Sequence, residues 1–151
     1  MTHELESIVN DFGKRISAIS EVDFCAKPQP DKWSKKEILG HLIDSAENNL
    51  RRFICGQYEV PAPNIRYNQD FWVVANQYQS TLSKDVIENW RLANLKICKV
   101  LRKMPQENYT LVCDFGDGKF LTLEWLAEDY VKHLKHHLNQ IIPKSFEIVY
   151  P

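Results

Sequence analysis

The sequence predicts an all-α fold, a four-helix bundle with a short extra helix and a small hairpin, on three observations. Four long stretches space their apolar residues by three and four. The prolines fall between those stretches rather than inside them. Strand-like alternation is confined to residues 109–121. At 151 residues the chain suits a single domain, 1–151, able to close one hydrophobic core without staples.

The first helix is expected from about His3 to Ser20, where Leu5, Ile8, Val9, Phe12, Ile16 and Ile19 make one stripe. Pro28 and Pro30 then forbid helix. Ser34 followed three residues later by Glu37 is a capping-box signature, and the second helix is carried to about Ile54. Gly56, Pro61 and Pro63 end it. The segment from Tyr67 to Tyr78 reads as a shorter helix whose aromatics cover one end of the bundle. Ser83 is expected to cap the third long helix, with Val86, Trp90, Ala93, Ile97, Val100, Leu101 and Met104 on its inner stripe and Pro105 as its stop. Asp117-Gly118 marks a hairpin turn. Thr122 caps the last helix, which ends near Pro143. Helices of this length joined by moderate loops imply the bundle.

Composition excludes several function classes. Apolar residues at 44% and charged residues at 26% argue against disorder. A net charge of −1 gives no electrostatic reason to bind nucleic acid or an anionic membrane. The basic residues alternate with acids, as in Lys84-Asp85 and Glu88 before Arg91, which is the pattern of a solvated helix face. No apolar run reaches membrane-spanning length and the first residues are polar, so the expected location is cytoplasmic. Cys25, Cys55, Cys98 and Cys113 lie far apart without CxxC spacing and read as free thiols.

The histidines carry the chemical signal. Three of the five crowd into Lys132-His133-Leu134-Lys135-His136-His137-Leu138. Residues four apart on a helix lie roughly 40° from alignment, so His133 and His137 can point at one ion. On a helical wheel both border the stripe of Leu123, Leu126, Ala127, Tyr130, Leu134, Leu138 and Ile141, while His136 turns toward solvent. His3 is assigned to the surface. Two imidazoles rarely make a specific site alone. His41 borders the apolar side of the second helix, formed by Ile38, Leu39, Leu42, Ala46, Leu50 and Phe53, and is the candidate third ligand. Three histidines from two helices leave coordination positions open, as a catalytic site requires. A border histidine alone is more often a packing residue, and HxxxH on a helix arises by chance.

Lys32-Trp33-Ser34 leading to His41-Leu42-Ile43-Asp44-Ser45, then Phe53, and finally the run from His133 to Ile141 resemble the DinB-like superfamily. The likeness is strongest to its YfiT branch of metal-dependent hydrolases and bacillithiol transferases, and it extends from about Lys27 to Ile142. The resemblance implies a four-helix bundle, a homodimer, and one Zn²⁺ or Ni²⁺ held at the matching positions His41, His133 and His137. It also implies an enzyme activating either a low-molecular-weight thiol, for transfer to an electrophile, or water, for hydrolysis. Two departures bear on subfamily: Gln140 and Gly40 stand where the branch can carry further histidines. Within a turn of the expected ligands, Asp44 and Asp129 could orient imidazoles or move protons. Asn48, Arg52 and Gln140 could hold the polar part of a small-molecule substrate. The alternative is a non-catalytic module in which the metal ties helices together or serves a sensor.

Overall fold

The hydrophobic stripes pair into a bundle of four long helices in the computed structural model, which describes residues 1–151. Helix α1 (Thr2–Ser17) buries Leu5, Ile8, Val9, Phe12 and Ile16. It stops short of the expected end. Ser20 adopts an extended conformation and caps a separate short helix, α2 (Glu21–Cys25), by accepting from the Asp23 N–H. Helix α3 (Lys35–Cys55) opens with the full capping box. The Ser34 hydroxyl accepts from the Glu37 N–H at 3.1 Å, and the Glu37 carboxylate accepts from the Ser34 N–H at 2.9 Å.

The aromatic segment forms α4 (Gln69–Ala75), capped by Asn68, and a 3₁₀ turn at Tyr78–Ser80. Helix α5 (Ser83–Lys103) follows. Ser83 does not cap it: Leu82 takes the N-cap position, and the Ser83 hydroxyl donates instead to Glu21 of α2 at 2.8 Å. A carboxylate brought close by folding outbids the local backbone for that hydroxyl. Strands β1 (Val112–Asp114) and β2 (Phe120–Thr122) pair antiparallel with Cys113 opposite Leu121. Their turn needs positive φ at Gly116, Asp117 and Gly118, residue types that tolerate the left-handed region. Thr122 then caps α6 (Leu123–Ile141) by accepting from the Trp125 N–H.

Helix α3 is central, packed against α5, α6 and α4, while α1 lies on α5. Residues on several of its faces are therefore buried, and every residue from Leu39 to Ala46 is inaccessible. That placement takes His41 from a stripe border to full burial, at 1% exposure. Trp90, Tyr130, Phe53, Leu39 and Leu134 fill the centre of the core, each contributing on the order of 1.5–3 kcal/mol of transfer free energy.

The chain beyond α6 turns back along it. The Asn139 side chain accepts from the N–H groups of Ser145 and Phe146 and donates to the Phe146 carbonyl, and Phe146 stacks on Phe12 at 5.2 Å. Tyr150 is thereby laid beside the histidines of α6. No helix is long and apolar enough to cross a membrane, and the four cysteines are free thiols.

Candidate metal centre

Burial of α3 against α6 brings His41, His133 and His137 together, with one nitrogen from each within 4.8 Å of the others. Their rings meet edge to face, at centroid separations of 5.2 Å for His41 and His133, 4.7 Å for His41 and His137, and 4.5 Å for His133 and His137. The Nε2 atoms of His41 and His133 are 3.2 Å apart. Two imidazole nitrogens on one tetrahedral ion, each about 2.0–2.1 Å from it, stand about 3.3–3.4 Å apart. The donor set and this spacing fit a first-row divalent cation.

The outer nitrogens support the same reading. Nδ1 of His137 lies 2.8 Å from Oε1 of Gln140, which accepts its proton. The Gln140 amide is itself oriented by donating to Nε2 of His136 at 3.3 Å. Nδ1 of His133 lies 3.5 Å from the Ser45 hydroxyl. The Gln140 carbonyl oxygen can only accept, so the His137 proton sits at Nδ1 and its Nε2 lone pair is left for the centre, a common arrangement around metal-ligating imidazoles. Trp33 covers His41, with ring centroids 5.1 Å apart.

Burial and the proximity of the other imidazoles push the rings toward the neutral, ligating form. Desolvation, then His137, lowers His41 to about 4. Desolvation, then His137 and His41, lowers His133 to about 3. His137 is also lowered, by desolvation first, although its bond to Gln140 opposes the shift. Three buried side-chain polar atoms lack a partner: His41 Nδ1, Asp44 Oδ2 and Trp90 Nε1. The first two belong to residues one turn apart on α3.

The remaining predicted site residues separate. Asp44 forms no hydrogen bond to any of the three imidazoles. Its Oδ1 accepts from the Tyr78 hydroxyl at 2.6 Å and from Asn76 at 2.8 Å. Burial lifts its carboxyl to about 6, against the pull of those two donors and with help from Glu47. Gly40 makes this possible, because a Cβ there would stand 2.1 Å from the Tyr78 ring. A histidine at position 40 is incompatible with that packing. Asn48, at 1% exposure, donates to the Asp44 carbonyl and lines neither cleft beside the histidines. Gln140 serves His137 and also edges an open cleft with Trp33 and Asp70.

Arg52 and Asp129 line a second cleft of about 240 Å³, which reaches His133. Arg52 is fastened to the Ile65 carbonyl through Nε and Nη2 and to Asn49 through Nη1, and lies over the Phe115 ring. Asp129 accepts from the Tyr150 hydroxyl at 3.3 Å, and burial raises its carboxyl. Tyr150 packs on His133 and on His136, which is half-buried rather than turned to solvent. Sequence reasoning placed Ser45 at helical spacing from His41 without giving it a role, and it missed Tyr150. Tyr150, beyond the last helix, carries no periodic signal.

The DinB superfamily model matches residues 4–141, and the chain belongs to that family. Its fold is that of a solved structure of YfiT from Bacillus subtilis, described as a probable metal-dependent hydrolase with an unusual four-helix bundle topology. The TM-score is 0.82 over 93% of this chain and 81% of the other, at 20% sequence identity. No curated protein matches the sequence.

Proposed function

We propose that this DinB-superfamily protein is a metal-dependent enzyme in which His41, His133 and His137 hold one divalent ion, Zn²⁺ or Ni²⁺. The observation that carries the reading is the convergence of three imidazole nitrogens within 4.8 Å, two of them at a spacing suited to a shared ion. An ion bound by three neutral imidazoles keeps its full charge and would acidify a coordinated water or thiol toward neutrality.

The chain's own residues supply the rest. Ser45 and Gln140 keep the His133 and His137 rings in the ligating tautomer. Trp33 shields His41 from water on one side. Asp129 stands four residues before His133, and its carboxyl, raised by burial, is suited to take a proton in the cleft and return it. Tyr150 holds that carboxylate in place. Arg52 and Lys119 present positive charge to a substrate in the same cleft.

Transfer of a low-molecular-weight thiol to an electrophile is the reaction put forward, by resemblance to the YfiT branch. Hydrolysis is the second reading, favoured by the description of the Bacillus subtilis protein. Elemental analysis of protein purified without an affinity tag should find about one divalent ion per chain. An epoxide or chlorinated aromatic is then incubated with and without bacillithiol, cysteine or coenzyme A. Thiol-dependent conversion abolished by chelation is expected. Ester or amide turnover without thiol would assign hydrolysis. Metal-loaded protein inert to every pair would remove the enzyme reading in favour of a metal-stabilised module.

A further inference from the structure

The 240 Å³ cleft that reaches His133 is defined by its charges. Arg52 has no carboxylate within ion-pairing distance; its contacts are the neutral oxygens of Ile65 and Asn49 and the face of Phe115. Burial lowers its guanidinium below the ordinary arginine range, and Tyr67, Cys113 and Asp129 oppose that shift. A half-buried cation fastened only to neutral acceptors is costly, and the cost is relieved by an anion. Three of its N–H donors are used by Ile65 and Asn49. One donor remains on each terminal nitrogen, and a carboxylate accepts two such donors in parallel.

The other charges narrow the choice. Lys119, from the β1–β2 hairpin, lines the same cleft and forms no ion pair. Asp129 faces it from α6, where it repels a dianion more than a monoanion. The cleft is too small for a large ligand, and one of the three histidines forms part of its wall.

We infer that this cleft binds the carboxylate of a small substrate, with Arg52 as the residue that holds it and the reacting end directed toward the histidines. The inference rests on the proposed metal centre for what happens at that reacting end, but the anion site stands on the cleft's own residues.

Titration calorimetry with 3-mercaptopropionate and 3-mercaptopropionamide on metal-loaded protein, and with propionate and propionamide on metal-free protein, tests it. The acid should bind about tenfold or more tightly than the amide in both forms, the discrimination expected of charged hydrogen bonds. Arg52→Gln should erase the ratio while metal content stays stoichiometric, and Asp129→Asn should enlarge it. Equal affinities, a ratio that survives Arg52→Gln, or no saturable binding of the acid up to about 10 mM would overturn the inference. Should Arg52→Gln fail to fold, a ratio that is unchanged or smaller in Asp129→Asn overturns it as well. Protein that takes up no metal but prefers propionate refutes the metal centre and upholds the anion site. Metal-loaded protein without the preference does the reverse.

Discussion

Two polar clusters are built into the bundle, both with one side on α6, and they are wired in opposite ways. Tyr130 of α6 donates to Oδ1 of Asn94 on α5 at 2.6 Å, and the Asn94 amide donates to the Trp90 carbonyl at 2.8 Å. Tyr130 and Asn94 satisfy each other inside the core, as structural polar pairs do. Between α3 and α6 the outer nitrogens of His133 and His137 have partners outside the trio, and the inner Nε2 atoms of His41 and His133 have only each other, 3.2 Å apart. Imidazole nitrogens gathered face to face can share at most a proton with one another and gain more from a cation. The contrast separates a polar pair that holds helices together from a polar cluster with the donor set to take a ligand.

The largest effect expected from breaking this contrast is loss of metal. His41→Ala, His133→Ala and His137→Ala should each abolish stoichiometric uptake measured by elemental analysis, whereas His136→Ala should retain it. Full occupancy in His133→Ala would remove the site as described.

Gln140→Ala should weaken metal affinity by about 10- to 100-fold in competition with a chelator, because the His137 tautomer loses its anchor. An unchanged affinity would reduce Gln140 to a surface residue at the rim of its cleft.

Tyr130→Phe should lower stability by about 1–3 kcal/mol in chemical denaturation, since Asn94 Oδ1 is left buried without a donor. Metal binding should be untouched. If metal affinity falls with stability, the two clusters are coupled and the distinction fails.

The smallest effect concerns pH. In metal-free protein the lowered His41 and His133 bind fewer protons folded than unfolded between about pH 6.5 and 4. Unfolding therefore takes up protons, and stability should fall as pH drops through that window. Asp44, raised to about 6, binds more protons folded than unfolded between its ordinary range and pH 6, so its contribution has the opposite slope. Thermal melts of Asp44→Asn should therefore lose stability more steeply on acidification than wild type. An identical slope would mean that Asp44 is not the opposing group.

The four helices, their caps at Ser34 and Thr122, the Asp117-Gly118 turn and the trio of histidines were legible because each rests on short-range chemistry: periodicity, reciprocal capping bonds and i,i+4 alignment. Ser83 was misread as a cap, and the partners of Asp44 were not legible, because a residue from elsewhere captured the side chain, Glu21 in one case and Tyr78 in the other. The burial of Asn48 was not legible because α3 is covered on more than one face, which a single helical wheel does not register.

By itself the sequence determined which segments are helices and which residue types can ligate, since propensity, patterning and donor chemistry are local. Only the tertiary structure decided that Gly40 admits Tyr78, that Arg52 is left without a carboxylate, and that Tyr150 returns from beyond the last helix to Asp129. Those outcomes depend on which surfaces meet when apolar faces are buried, and sequence separations of 34 between Asp44 and Tyr78 and 21 between Asp129 and Tyr150 leave no periodic trace in the chain.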